Sequence, residues 1–191
     1  MTLIKTAKIS ALAACTGLVA LLSACNSDVE TPTPPNEEEV ITTVILTFSN
    51  EAGTQTFAYR DPDGDGGNPP TQQDEVVLSV NSTYTLDISF LNEAVQPAED
   101  ISVEVEEEGA EHQVFIHNPG SSVLPFTYTY GDTDANGNPI GLTGTVTTGA
   151  NASSGTMYVT LKHQPDSKSA NSTIADGETD IEVSFAVSIN Q

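Results

Sequence analysis

The segment Asp180-Ile181-Glu182-Val183-Ser184-Phe185-Ala186-Val187-Ser188 decides the fold class, because apolar and polar side chains alternate along its length. In an extended strand, successive side chains point to opposite faces, so the apolar set covers one face and the polar set covers the other. One buried face and one solvated face are typical of a strand in an antiparallel sheet. We therefore predict a strand here, with the bounds Thr179–Ile189.

The same alternation recurs throughout residues 40–191, in segments rich in Thr, Val, Ile, Tyr and Phe that turn residues separate. With the segment above, the predicted strands are Val40–Phe48, Thr54–Arg60, Glu75–Val80, Thr83–Leu91, Asp100–Glu106, His112–His117, Pro125–Tyr130, Gly141–Thr148, Thr156–His163 and Thr179–Ile189. The sequence shows no long helical period. These features predict a single all-β domain, an antiparallel β-sandwich with immunoglobulin-like connections.

The domain also shows signs of an internal repeat. Asp100-Ile101-Ser102-Val103 resembles Asp180-Ile181-Glu182-Val183, and two acidic loops described below each follow a strand that carries tyrosine. We expect two related units, residues 40–108 and 112–190, that pack face to face as the two layers of the sandwich. Similar turn chemistry that arose twice is the alternative.

The N-terminal segment, residues 1–24, has the pattern of a secretory signal peptide. Two lysines precede an apolar run, Ile9–Leu22, and small residues follow it. This run is too short and too rich in alanine for a good membrane span. Leu22-Ser23-Ala24-Cys25 resembles the bacterial lipobox, in which the cysteine is lipidated and becomes the first residue of the mature protein. The resemblance implies a lipid anchor at Cys25, whereas an ordinary signal peptide with a chance cysteine is the alternative.

Residues 25–39 are predicted to form a tether between the lipid and the domain. They contain three prolines and end in Glu37-Glu38-Glu39, so they bury too little apolar surface to fold. Asn26 after the cysteine resembles the outer-membrane sorting signal of enterobacterial lipoproteins. The acidic stretch also resembles the surface-export signal of Bacteroidota lipoproteins, with a solvated spacer as the alternative. We expect a protein anchored to the outer membrane, on its periplasmic or its cell-surface face.

Acidic residues dominate the charge of the mature chain. Removal of the signal peptide takes away Lys5 and Lys8 and leaves three basic residues against 27 acidic residues, a formal charge of −24. We expect no nucleic-acid partner, because such binding requires a basic surface. Anionic lipid headgroups would also repel the body, so the lipid must provide the membrane contact. The chain has two cysteines, Cys15 and Cys25, so no disulfide is expected in the mature body.

Two acidic loops resemble the first half of the calcium loop of EF-hand proteins. They are Asp61-x-Asp63-x-Asp65-Gly66 and Asp132-x-Asp134-x-Asn136-Gly137. Alternate residues of a tight turn direct oxygen atoms inward, and the glycine permits the turn. The resemblance implies bound Ca2+, and a divalent ion would also relieve the repulsion between neighbouring carboxylates.

Both loops depart from that pattern, because the twelfth position holds Gln72 and Thr143 in place of glutamate. Asp74 or Glu75 could complete the first site, whereas the second loop has no acid downstream until Asp166. Strands are predicted on both sides of each loop, in place of helices. Asp, Asn, Gly and Pro are also common turn residues, so an ordinary turn without metal is the alternative.

Histidines offer a second kind of metal site. His112 and His117 lie on one predicted strand at an odd spacing, so they face opposite sides of it. A pairing of His112 with His163, aided by Glu111 or Glu108, would provide ligands for zinc or copper. Histidines held by ordinary hydrogen bonds are the alternative.

The sequence contains no Gly-x-Ser-x-Gly elbow, no His-Glu-x-x-His and no phosphate-binding glycine loop. We therefore expect a non-catalytic binding or structural module, stabilised by Ca2+, that presents its loops to a glycan or to an outer-membrane receptor. The alternative function is capture of zinc or copper for an outer-membrane uptake system.

From residue 39 onward, the chain resembles small acidic lipoproteins of flavobacteria and related Bacteroidota. The shared segments are Glu39-Val40-Ile41-Thr42-Thr43-Val44, Asp63-Gly64-Asp65-Gly66-Gly67, Glu111-His112-Gln113, Asn136-Gly137-Asn138-Pro139-Ile140-Gly141-Leu142, Leu161-Lys162-His163 and Gly177-Glu178-Thr179-Asp180-Ile181-Glu182-Val183. The resemblance implies an exported, lipid-anchored β protein. Some members carry the label "type 1 periplasmic binding fold", a two-lobed fold of alternating strands and helices. The strand pattern of this chain argues against that fold.

Overall fold

The structure, a computed structural model, describes residues 39–64, 67–118 and 124–191. The predicted signal peptide, Cys25, Asp65 and the tether up to residue 38 lie outside these ranges. The described residues belong to one compact unit that spans Glu37–Gln191. None of their helices is long and apolar enough to cross a membrane.

Strands dominate this unit. They are β1 (Thr43–Asn50), β2 (Gly53–Arg60), β3 (Gln72–Gln73), β4 (Val76–Ser79), β5 (Thr83–Asn92), β6 (Glu99–Asp100), β7 (His112–His117), β8 (Phe126–Tyr130), β9 (Thr143–Thr148), β10 (Ser153–His163) and β11 (Glu178–Asn190). One short helix, α1 (Ile101–Glu107), lies between β6 and β7.

The strands form two sheets. The first sheet has the order β3-β2-β1-β5-β9-β8, with β6 paired to β5, and the second has the order β4-β11-β10-β7. All pairs are antiparallel except β4 with β11, which are parallel. The predicted all-β class, the two-sheet sandwich and the lack of a long helix are confirmed.

Apolar side chains from both sheets form one core. Its largest fully buried members include Phe48 of β1, Phe90 of β5 and Phe185 of β11. Along β11, burial alternates with lower burial from residue 183 to residue 190, as the alternation of apolar and polar residues in this segment predicts. The hydrophobic effect therefore acts on one face of each long strand and holds the two sheets together.

The predicted strand at Asp100–Glu106 is wrong, because this segment forms α1. Asp100 caps the helix by accepting a hydrogen bond from the Ser102 amide at 3.1 Å. Ile101 and Val105 lie one helical turn apart and are both buried, whereas Val103 is 52% exposed. In a segment this short, the spacing of Ile101, Val103 and Val105 fits the two-residue period of a strand, and the spacing of Ile101 and Val105 also fits one face of a helix. Packing against β5 selects the helix, since a helix of this length is marginal by itself.

The predicted arrangement of two units as two layers is also wrong. The segment at Asp100 begins a helix, whereas the matching segment at Asp180 belongs to a strand. Each sheet also mixes the two units, since β4 joins the second sheet while β8 and β9 join the first. Strand pairing, which connects distant parts of the chain, determines the layers.

We expect Phe185→Ala to lower the free energy of unfolding by about 3–5 kcal/mol, because the ring is fully buried and its removal leaves a cavity. Urea denaturation followed by circular dichroism measures this loss. Val77→Ala is the control, because Val77 is 41% exposed on β4 and should change stability by about 0.5 kcal/mol or less. Equal effects of the two substitutions would contradict the placement of Phe185 in the core.

Candidate functional site

Acidic side chains gather where the first and last residues of several strands meet. The Asp61 amide donates to the Thr42 carbonyl at 2.8 Å, which joins the end of β2 to the start of β1. His112 at the start of β7 pairs with His163 at the end of β10, and His163 pairs with Glu178 of β11. We call this region the acidic end; its carboxylates are those of Glu39, Asp61, Asp63, Glu104, Glu108, Glu111, Asp132, Asp134, Asp180 and Glu182.

In the first predicted calcium loop, Asp61 is buried with only part of its hydrogen-bonding capacity used. The residue is 8% exposed, and its Oδ2 accepts from the Tyr59 hydroxyl at 3.4 Å. Its Oδ1 has no hydrogen-bond partner among the described residues. Asp61 lines a cavity of about 330 Å3 together with Asp180 and Glu182. A buried carboxylate oxygen without a donor is costly, so this position favours a cation.

Asp63 lies beside Asp61 on the surface of the same loop. Its Oδ2 accepts hydrogen bonds from the side-chain amide of Asn68 at 2.6 Å and from the backbone amide of Asn68 at 3.4 Å. These contacts, with a smaller contribution from the Asp61 carboxyl, hold the pKa of Asp63 below its usual range. The two carboxyl groups therefore lie close enough together to share one cation.

Asp74 and Glu75 are engaged in contacts between strands. The Oδ2 atom of Asp74 accepts from the Ala58 amide at 2.8 Å and from the Gln72 side chain at 2.9 Å. Glu75 accepts from the hydroxyl of Ser188 on β11. The structure therefore gives both predicted calcium ligands roles in joining strands.

The second predicted calcium loop satisfies its own carboxylates. Asp132 accepts from the amides of Gly141 at 2.7 Å and Thr143 at 2.9 Å. The Oδ1 atom of Asp134 accepts from the amides of Asn136 and Asn138, both at 2.8 Å. Asn136 is exposed, and its side chain makes no hydrogen bond with any described residue. The arrangement is that of a tight, hydrogen-bonded turn.

A lysine provides the positive charge in this second loop. The Nζ atom of Lys168 lies 3.2 Å from Oδ2 of Asp134, and both side chains are almost fully buried. The same ammonium donates to the Gly109 carbonyl. Burial raises the pKa of Asp134, but amide hydrogen bonds and Lys168 outweigh burial and hold it below the usual range. The two loops, which look alike in sequence, therefore differ in structure, because only the second has this internal cation.

The predicted histidine group is brought together at the acidic end. The rings of His112 and His163 stack with centroids 4.4 Å apart and planes 12° apart. Nε2 of His163 lies 3.2 Å from Oε2 of Glu111. A metal ion lies in the plane of each imidazole that binds it, so two parallel stacked rings do not ligate one ion together. His117 lies apart, as predicted, with Nε2 3.0 Å from the Thr160 hydroxyl.

A different group around His112 has the spacing of metal ligands. One ligand atom from each of Glu39, Glu108 and His112 lies within 4.8 Å of the other two. His112 is fully buried, with Nδ1 3.3 Å from the Glu108 carbonyl oxygen and Nε2 3.9 Å from Oδ2 of Asp180. Burial, and then the charge of His163, lower the pKa of His112 to about 4. The imidazole is therefore neutral at pH 7.

Glu39 completes this group from the segment before β1. Burial raises its pKa to about 7, and the charges of Glu104, Asp180 and Glu108 add to the effect. The sequence predicts Glu39 in the tether, whereas the structure places it half-buried against the domain. The sequence signal that marks it is its position as the last acid before the first predicted strand.

Asp180 points inward because of an irregularity in the β10–β11 ladder. Leu161 pairs with Ile181 and Lys162 pairs with Thr179, so Asp180 is an extra residue in β11. Such a bulge redirects a side chain, and that of Asp180 is 2% exposed. The alternation of the sequence predicts Asp180 on the solvated face, so no local signal indicated this placement.

We expect Lys168→Met and Asp134→Asn each to lower the urea midpoint, because each leaves a buried partner without its counterpart. The double variant should lose less than the sum of the two single losses. The folded pKa of Asp134 lies below its unfolded value of about 3.9. The advantage of the wild type over Asp134→Asn is therefore full above about pH 4 and lost as pH falls through the folded pKa.

Urea denaturation of the four proteins between pH 7 and pH 2 measures these effects. Glu51→Gln, a change of one exposed acid at the opposite end of the sandwich, is the control. Additive losses that do not vary with pH would show that Lys168 and Asp134 do not interact.

Comparisons with known proteins assign neither a family nor a function to this chain. No family model matches the chain. Searches of curated proteins and of solved structures returned no match either.

Proposed function

We propose that this chain is an exported, lipid-anchored and non-catalytic β-sandwich module of the outer membrane, whose acidic end binds divalent cations. Calcium occupies the first acidic loop, at Asp61 and Asp63. The observation that carries the proposal is the buried Asp61 carboxylate, whose Oδ1 accepts no hydrogen bond within the described ranges. The sequence places Asp65 in the same loop as a third carboxylate.

Calcium suits this loop better than other common cations do. The groups around it are carboxylate, hydroxyl and carbonyl oxygens, which are the ligands that Ca2+ prefers. The Tyr59 hydroxyl also contacts Asp61, and Gly64 adopts a positive φ of 61° that lets the chain turn around the carboxylates. The second loop needs no calcium in this proposal, because Lys168 already neutralises Asp134.

The ion would compensate for the lack of covalent cross-links. The mature chain has no pair of cysteines, and its acidic residues greatly outnumber its basic ones. A ligand that binds only the folded state stabilises it by about 1.4 kcal/mol when its free concentration is ten times the dissociation constant. Calcium in the first loop would therefore stabilise the end of β2, where the loop begins.

The anchor and the location rest on the N-terminal sequence. The lipobox resemblance at Cys25 supports lipidation, and the proline-rich, acidic residues 26–38 support a spacer between the lipid and the domain. Several acyl chains hold a protein firmly at a bilayer, whereas one chain binds marginally. In this role the module presents its loops to a glycan or to an outer-membrane receptor.

Calcium should raise the melting temperature of the mature lipoprotein in detergent, and a chelator should lower it. Asp61→Asn should abolish the calcium-dependent shift, because it removes a charge from the proposed ligand. Asp132→Asn is the matched control, since Asp132 has the first position in the second loop and already accepts two amide hydrogen bonds. It should lower the melting temperature but keep the shift. Identical melting with calcium and with chelator in the wild type would overturn the calcium proposal.

Cys25→Ser should move the protein from the detergent phase to the aqueous phase in a detergent partition of whole cells. It should also prevent incorporation of labelled palmitate, because the substitution removes the sulfur that carries the lipid. Cys15→Ser is the control and should leave both results unchanged, since Cys15 lies in the predicted signal peptide. An unmodified wild-type protein in the aqueous phase would contradict the anchor.

A further inference from the structure

We propose that Glu39, Glu108 and His112 bind a divalent transition ion of the zinc class, at a site separate from the calcium loop. Two distant parts of the chain provide these ligands: the residues before β1, and the turn that joins the C-terminal end of α1 to the start of β7. Their ligand atoms already lie within 4.8 Å of one another. Around a tetrahedral zinc ion, with bonds of about 2.0–2.2 Å, ligand atoms lie closer together than this, so the three side chains must move towards one another when the ion binds.

His112 offers an observation independent of the acidic cluster. Its side chain is fully buried, and its Nε2 has no hydrogen-bond partner in the part of the chain that the structure describes. Nδ1 lies 3.3 Å from the Glu108 carbonyl oxygen and 3.9 Å from Oε2 of Glu108. With the proton on Nδ1, the lone pair is on Nε2, and the exposed Glu108 carboxylate must turn towards Nε2 to bind the same ion. A ligating histidine commonly donates its other N–H to a backbone carbonyl in this way.

The space between His112 and Asp180 would fit a metal ion. Nε2 of His112 lies 3.9 Å from Oδ2 of Asp180, too long for a hydrogen bond between these two atoms. A metal ion between them would bind both, because its bonds to nitrogen and to oxygen are each about 2 Å long. Asp180 is therefore a fourth candidate ligand, placed there by the bulge in β11.

Negative charge concentrates at the same place. The carboxyl groups of Glu104, Asp180 and Glu108 lie near that of Glu39. A divalent ion at Glu39, Glu108 and His112 would offset this concentration of acidic groups. The nearby basic groups are engaged elsewhere, since His163 contacts Glu111 and Lys168 contacts Asp134.

The ligand set selects the class of ion. Imidazole nitrogen is a ligand for zinc and its neighbours, whereas calcium and magnesium prefer sites made of oxygen alone. No thiolate lies in the mature body that would favour Cu(I). His163 and Glu111, the partners that the sequence suggested for His112, are not ligands in this proposal, because the His163 ring stacks on His112 and Glu111 contacts His163.

Isothermal titration of the mature lipoprotein in detergent with Zn2+ tests the site, in a buffer that contains saturating Ca2+. We expect one Zn2+ per chain. Glu39→Gln and Glu108→Gln should each weaken binding by at least about tenfold. Both side chains lie near the surface, so these variants should fold, and circular dichroism checks that they do. His112→Gln should abolish binding.

Two matched controls test whether any acidic residue in this region, or the contact between Glu111 and His163, accounts for the zinc binding. Glu107→Gln removes an exposed neighbouring acid, and Glu111→Gln removes the partner of His163. Both should keep the zinc affinity within about threefold.

Three results would overturn the proposal: no zinc binding by the wild type, full binding by both Glu39→Gln and Glu108→Gln, or an equal loss in the two controls. These outcomes are independent of the calcium loop, because Asp61→Asn should leave the zinc titration unchanged. Loss of the calcium effect with intact zinc binding would contradict the proposed function and leave this site standing.

Discussion

A shortage of positive charge governs the acidic end of this sandwich. Residues 25–191 contain three basic residues, Arg60, Lys162 and Lys168, against 27 acidic residues. Arg60 contacts Glu93 at 3.2 Å, Lys168 contacts Asp134 at 3.2 Å, and Lys162 donates to the Thr179 hydroxyl at 2.8 Å. The other carboxylates at this end depend on backbone amides, on hydroxyl and imidazole groups, or on a cation from solution.

Backbone amides provide the first of these solutions. Asp132 and Asp134 accept from the amides of their own turn, Asp74 accepts from a neighbouring strand, and Asp100 caps the start of α1. Each of these carboxylates thereby stabilises the local backbone and no longer needs a metal. Among the described residues, no backbone amide donates to the side chains of Asp61, Glu39 or Glu108, and for this reason the ions are proposed there.

Strand content and the main architecture could be predicted from the sequence, because alternation with a period of two is a local pattern. β11 shows this clearly, since its buried residues follow its apolar ones. The exception is α1, where Ile101 and Val105 fit a helix as well as a strand. The contact between α1 and β5 decided between the two, and the local pattern of residues 100–106 contains no information about that contact.

The candidate sites were only partly predictable. The sequence correctly predicted that His112, His163 and Glu111 lie close together, because His112 and His163 each lie at the end of a predicted strand. It treated the loops at Asp61 and Asp132 as equivalent, since their spacing of acids is the same. Lys168, more than thirty residues after Asp134, distinguishes them, and a spacing motif contains no information about such a distant partner.

The amino-acid sequence by itself determined the all-β class, the surplus of negative charge and the acidic loops, because each of these depends on residue type and local period. The tertiary structure alone decided which carboxylates meet. Glu39, the turn that carries Glu108 and His112, and Asp180 come from three separate parts of the chain, and the bulge in β11 turns Asp180 inward. Strand pairing and burial bring these groups close together, and such long-range geometry is set by the packing of the whole core.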